Sequence, residues 1–238
     1  MKKLSFILAA AVLSGIVANA QVTADLQSQI KKDKLYTSAD VDEVYGVNFY
    51  EKLNPMLDGD STRMCDGYAC SGWQTDKYDN GNVIHKGYYV EGQLKIYKNY
   101  YPDGTLEREF KGVNTFSAIS KLYHKNGQMK SEVKYVNAAP LIWSDFYDNG
   151  QLEYYEEYHK SFDYHIAKRT YYKNGKPESL FEMIDKKKLE YSQNDYYSVG
   201  QKKVEGELIY DKKIYDYRKI GTWKFYAENG SLDKKESY

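Results

Sequence analysis

The sequence predicts an all-β fold: an elongated, twisted antiparallel meander of about seven β-hairpin repeats behind a short, partly helical N-terminal cap. Three observations predict it. Turn glycines recur at near-constant spacing. The residues after each glycine alternate with period 2. Tyrosine dominates the aromatic content.

The glycines come first. Gly81, Gly104, Gly127, Gly150, Gly175, Gly200 and Gly230 follow one another at intervals of 23, 23, 23, 25, 25 and 30 residues. A fixed period of this size marks a repeat architecture and outranks local propensity. Asn precedes the glycine in five units (Asn80, Asn126, Asn149, Asn174, Asn229) and Asp103 in a sixth. Asn-Gly and Asp-Gly favour tight hairpin turns because both residues tolerate positive φ. Four residues before the glycine stands an aromatic in six of the seven units, Lys77 being the exception. Three before it, tyrosine recurs as Tyr78, Tyr101, Tyr147, Tyr172 and Tyr197, with His124 in its place in one unit. Adjacent strand positions point to opposite faces.

The segments after the turns are strands. In "QMKSEVKY", Met129, Ser131, Val133 and Tyr135 share one face, and Lys130, Glu132 and Lys134 the other. That alternation fits a half-buried strand and not a helix. Each unit is therefore strand, tight turn, strand. A lone hairpin is marginal in water, so neighbouring units must pair edge to edge. Seven units give about fourteen strands and a sheet roughly 65 Å long. The chain has 27 Tyr against 8 Phe and 3 Trp. Tyrosine suits half-buried sheet faces, where the ring packs and the hydroxyl reaches water. Lys234, Lys235 and Glu236 on the last strand discourage further edge pairing.

Residues 1–20 read as a signal peptide: a basic start at Lys2 and Lys3, an uncharged apolar run, and Ala18-Asn19-Ala20 as a cleavage site. The expectation is an exported protein, periplasmic or at the cell surface. The chain has 34 basic and 34 acidic side chains, interleaved throughout. No basic stripe suits a phosphate backbone, so nucleic acid is not expected as a partner.

Residues 21–64 form the N-terminal extension and 65–238 the repeat domain. Leu26 and Ile30 fit a short amphipathic helix, Ser38 resembles a helix start, and "VNFYEKLNPML" reads as a further short helix ending near Pro55. This segment is expected to cap the open edge of the first hairpin. Cys65 and Cys70 are the only cysteines. So close a pair oxidises after export, and the expectation is a structural disulfide.

The last unit reads "GTWKFYAENGSL" and the first "SGWQTDKYDNGNV". The form G-x-W-x-x-Y-x-x-N-G-x-L resembles the MORN-repeat variant found in the YwqK-type antitoxin family, over residues 68–238. The resemblance implies a MORN-like array of β-hairpins that acts as a binding or membrane-associated scaffold without catalysis. Choline- and glucan-binding wall repeats and RHS/YD repeats make similar hairpins and stay open as alternatives.

Catalytic, metal and cofactor residues are not expected. The four histidines, His85, His124, His159 and His165, show no ligand spacing, although His159 and His165 could meet across a hairpin. Glu156 and Glu157 alternate to opposite faces, which is wrong for shared acid–base work. The expected role is a monomeric scaffold for a protein or cell-envelope component, with peripheral membrane contact as one form of it. An antitoxin or immunity protein and a wall-carbohydrate module are the alternatives. Tyr101, Tyr147, Tyr172 and Tyr197 are the candidate binding face.

Overall fold

The computed structural model describes residues 35–238. The signal peptide and the helix expected around Leu26 and Ile30 lie outside the described residues. Sixteen strands are present among the described residues, and fourteen of them form one antiparallel sheet whose strand order is chain order. The meander expected from the glycine period is what the chain adopts. The chain divides into two compact units, residues 1–109 and 110–238.

The first unit holds a two-stranded ribbon, β1 (Met64–Cys65) and β2 (Tyr68–Ala69), then β3 (Gly72–Lys77), β4 (Val83–Val90), β5 (Gln93–Tyr100) and the start of β6 (Leu106–Asn114). Cys65 and Cys70 are joined, with sulfurs 1.96 Å apart. Closing so small a loop contributes about 2 kcal/mol in the chain-entropy account.

The extension differs from its expectation. Instead of α-helices it forms 3-10 turns at Ser38–Asp40, Glu51–Leu53 and Pro55–Leu57. Thr37, not Ser38, caps the first turn: its side chain accepts from the Ala39 N–H while Asp40 accepts from the Thr37 N–H. Nor is the extension mainly an edge cap. It pairs with the sheet margin only where Tyr36 bridges Tyr78, and otherwise lies across one face. The Tyr50 ring stacks on His85 at 3.6 Å, and Asn99 Nδ2 donates to the Val47 carbonyl at 2.8 Å. The reason is polar. Asp76, His85 and Asn99 sit opposite one another on this face, so they need partners once buried. Arg63 donates to Asp76 through both terminal nitrogens, at 2.7 and 2.9 Å, and Tyr50 Oη donates to Asp76 Oδ2 at 2.6 Å. Burial alone would depress the Arg63 guanidinium, but the Asp76 hydrogen bonds outweigh it and hold it charged. Gly46, at φ 64°, lets the chain pass where a Cβ would collide with the Glu107 carboxylate.

The second unit contains the rest of β6, then β7 (Ser117–Tyr123), β8 (Met129–Val136), β9 (Ala139–Phe146), β10 (Leu152–Tyr158), β11 (His165–Tyr171), β12 (Pro177–Asp185), β13 (Glu190–Tyr196), β14 (Lys202–Asp211), β15 (Asp216–Tyr226) and β16 (Leu232–Ser237).

The repeat turns correct the expected turn chemistry. All seven repeat glycines have positive φ, but none of the turn asparagines does. Each turn is a three-residue loop: Gly150 N–H donates to the Tyr147 carbonyl and Tyr147 N–H to the Gln151 carbonyl, both at 2.9 Å. This is a type I turn closed by a left-handed glycine. Pairs with both residues at positive φ occur in the intervening turns, at Glu91-Gly92 and Asn137-Ala138. The asparagine serves through its side chain. Its Oδ1 accepts from the N–H after the glycine, as in Asn149 to Gln151 at 3.0 Å. Its Nδ2 donates to a carbonyl of the next repeat turn: Asn80 to Pro102, Asn126 to Asp148, Asn149 to Lys173 and Asn174 to Ser198.

A second ladder runs beside it. In five units the side chain three before the glycine donates to the backbone carbonyl of the residue four before the next glycine. Tyr78 reaches Tyr100, Tyr147 reaches Tyr171, Tyr172 reaches Tyr196 and Tyr197 reaches Tyr226, at 2.6 to 2.9 Å. His124 performs the same task with Nε2, at 2.8 Å from the Phe146 carbonyl. In the unit of Gly230, Ala227 stands at this position and carries no donor.

Two predictions follow from these contacts. His124→Tyr keeps the donor and should leave the urea midpoint unchanged or raised, whereas His124→Phe should lower stability by about 1 kcal/mol. Burial pushes His85 down to about 4 from 6.5. The unfolded chain therefore takes up this proton first, so stability is full above pH 6.5 and falls as pH drops toward 4. Denaturation at pH 7.5 and pH 4.5 should show His85 contributing up to about 3 kcal/mol to that slope, absent in His85→Gln.

Candidate functional site

Cross-strand register sorts the side chains of the second unit into two faces. Trp143, Glu156, Lys168, Phe181 and Gln193 stand opposite one another in turn and share one face. The other face carries ion pairs: Arg169 with Glu182, Lys224 with Glu205, and Lys121 with Glu132. Those are solvated pairs of small individual value. The first face holds the ring cluster of Phe181, Tyr191 and Tyr217.

This ring-bearing face is curled. The β10–β11 loop reaches β14 and β15 although β12 and β13 intervene, and three tyrosines hold it there. Tyr210 Oη donates to the Asp163 carbonyl at 2.7 Å, and Tyr191 Oη donates to the His165 carbonyl at 2.9 Å. Tyr217 Oη accepts from the His165 N–H at 2.8 Å. Their rings pack together: Phe181 stacks on Tyr191 at 4.7 Å, and Tyr217 stands edge-on to both at 4.9 and 5.0 Å. Burial pushes the Tyr191 and Tyr217 hydroxyls up, so both are neutral donors and acceptors at ordinary pH.

Beside this clamp lies a groove of about 400 Å³, floored by Phe181, Leu208 and Tyr217 and flanked by Lys168, Thr170 and Gln193. His165 closes one end. Its Nε2 meets Glu156 Oε1 at 2.8 Å and its Nδ1 lies 3.2 Å from Tyr217 Oη. At the other end, Ser179 Oγ and Gln193 Nε2 both donate to Asp195 Oδ1.

The tyrosines expected to form a binding face stand at the repeat turns. Tyr101, Tyr147, Tyr172 and Tyr197 are half-buried at the sheet end. The hydroxyls of Tyr147, Tyr172 and Tyr197 are committed to the next repeat, and burial pushes that of Tyr101 up to about 12. The seven glycines all sit at hairpin turns. His159 and His165 are not brought together: His159 stacks on Tyr164 and bonds Ser161 Oγ, while His165 turns to Glu156 and Tyr217. Among the described residues no group of three or more His, Cys, Asp or Glu could hold a metal ion.

Each hairpin has the same plan, and the comparison with known families picks out three of them. Residues 118–137, 141–160 and 219–238 match the MORN repeat variant. Each match spans one Asn-Gly turn with its flanking strands, around Gly127, Gly150 and Gly230. No curated protein matches the chain.

The repeat columns contain the turn tyrosines but not the clamp. Tyr191, Tyr210, Tyr217 and Phe181 fall outside the repeat columns, and the hydrogen bonds of the three tyrosines join residues 26 to 52 positions apart. Only the strand register, once known, puts them on one face. Tyr217→Phe removes the hydroxyl that accepts from the His165 N–H, so hydrogen exchange at His165 should accelerate about tenfold while strand amides of β7 and β8 are unchanged.

Proposed function

We propose that this protein is an exported, non-catalytic MORN-like scaffold that holds a protein or cell-envelope partner on the curled aromatic face of its second unit. The repeat architecture supports a scaffold or binding module. One observation carries the choice of surface. In the first unit, one sheet face is covered by the extension and its buried polar network. On the second unit, Trp143 remains 37% exposed and the groove beside Phe181 stays open. An open aromatic concavity rimmed by polar groups is a contact surface by its composition.

The antitoxin reading has no observation that favours it over a general scaffold. A wall-carbohydrate module is less well supported, because the rings here pack against one another edge-on and stacked instead of standing apart as a cage.

The test is retention of mature protein on an extract of its own cell envelope. Trp143→Ser combined with Leu208→Ser should reduce retention at least about fivefold, with far-ultraviolet circular dichroism unchanged. A triple change of the ion pairs on the opposite face should leave it intact. Equal retention of the wild type and the Trp143/Leu208 variant would remove this surface from consideration.

A further inference from the structure

We propose that the groove beside the tyrosine clamp binds a compact carboxylate with an apolar body, the ring or branched chain lying on Phe181, Leu208 and Tyr217 and the carboxylate meeting Lys168 and Thr170. The proposal rests on the curled face being a contact surface and names what it takes.

Charge is the first reason. The groove lining includes Lys168 and His165 but no carboxylate. Lys168 stands directly across the ladder from Glu156, where a cross-strand ion pair would be ordinary. Glu156 instead bonds His165 Nε2 at 2.8 Å, and Lys168 makes no ion pair among the described residues. Its ammonium lies only near the Tyr154 ring, 5.8 Å from the centroid. The diverted carboxylate thus leaves a cation at the mouth of an apolar concavity.

Geometry is the second. Lys168 and Thr170 are two apart on β11, so both project to the groove side, opposite Phe181 and Ser179 of β12. An ammonium and a hydroxyl at this spacing can donate to the two oxygens of one carboxylate. The polar groups farther along are already engaged with one another, since Ser179, Gln193 and Asp195 form a closed set. The floor is apolar, and about 400 Å³ suits a ligand near the small end of ordinary sites. The carboxylate could belong to a free organic acid or to the last residue of a peptide chain.

The experiment is an NMR titration of mature, ¹⁵N-labelled protein with phenylacetate and phenylacetamide, and with glycyl-phenylalanine and its amide. A dissociation constant of about 1 mM or tighter is expected for at least one of the two acids, with its amide at least about fivefold weaker. Shifts should fall on β11, β12 and β14. Lys168→Gln should weaken the acid by about the same factor and leave the amide alone, and Thr170→Val should weaken it about twofold. Binding of the peptide acid but not phenylacetate assigns the ligand to a chain terminus; binding of phenylacetate assigns it to a free acid as well. Equal binding of acid and amide, no effect of Lys168→Gln, or no binding of either acid overturns the proposal. Envelope retention lost in the Trp143/Leu208 variant, with no acid bound by the wild type, would sink this inference alone and leave the scaffold reading standing.

Discussion

A side-chain donor that reaches the main chain of the next hairpin holds this sheet in order. Backbone pairing alone fixes neighbouring strands but leaves their ends free to fray, because each hairpin is marginal by itself. In five units the tyrosine hydroxyl or histidine Nε2 three before the glycine reaches across that gap to a carbonyl of the following repeat. The asparagine amide makes the parallel link at the turn. Each bond is worth only about 1 kcal/mol net, yet repeated along the array they lock turn to turn. The glycine spacing, the Tyr column and the Asn column are one device: the period places donor and acceptor at the same end of the sheet in every unit.

The two units then treat the sheet's faces differently. In the first, charged and polar groups are placed inward and would be orphaned without cover. The extension answers them with Arg63, Tyr50 and the Val47 carbonyl, so the buried surface is closed and polar. A buried ion pair of this kind adds little stability over apolar packing, but breaking it is costly, which ties the extension to the first strands. In the second, tyrosines take the place of a covering segment. Their rings pack on the sheet and their hydroxyls draw the β10–β11 loop over it. The sheet covers part of its own face by bending.

Legibility in the sequence follows the same division. The meander, the turn positions and the alternation were readable because they depend on near neighbours and on a period. Met129, Val133 and Lys130 could be assigned to faces from spacing alone. The turn type was not readable: Asn-Gly is compatible with two loop geometries, and the choice depends on the side-chain amide finding a carbonyl in another repeat. The extension was misread for a related reason. Ser38 and "VNFYEKLNPML" carry helix-like signals, and each is realised only as single 3-10 turns; in the second, Tyr50 and Val47 are engaged by Asp76, His85 and Asn99 of the sheet. The clamp was hidden altogether, because Tyr191, Tyr210 and Tyr217 look like any half-buried sheet tyrosine until the register joins them to Asp163 and His165.

That register also decides the chemistry of the groove. Repeat sheets of mixed charge tend to neutralise themselves, since each cation finds a carboxylate across the ladder, as Arg169 finds Glu182 on the opposite face. On the ring-bearing face, Lys168 departs from this. The β10–β11 connection brings His165 opposite Tyr158, a register shift separates it from the regular pairing that resumes at Ala167, and Glu156 turns to the imidazole. One irregularity in the ladder therefore does two things: it presents His165 to the tyrosine clamp that curls the sheet, and it takes from Lys168 the carboxylate that would have silenced it. Shape and charge at the groove thus share an origin in that register shift.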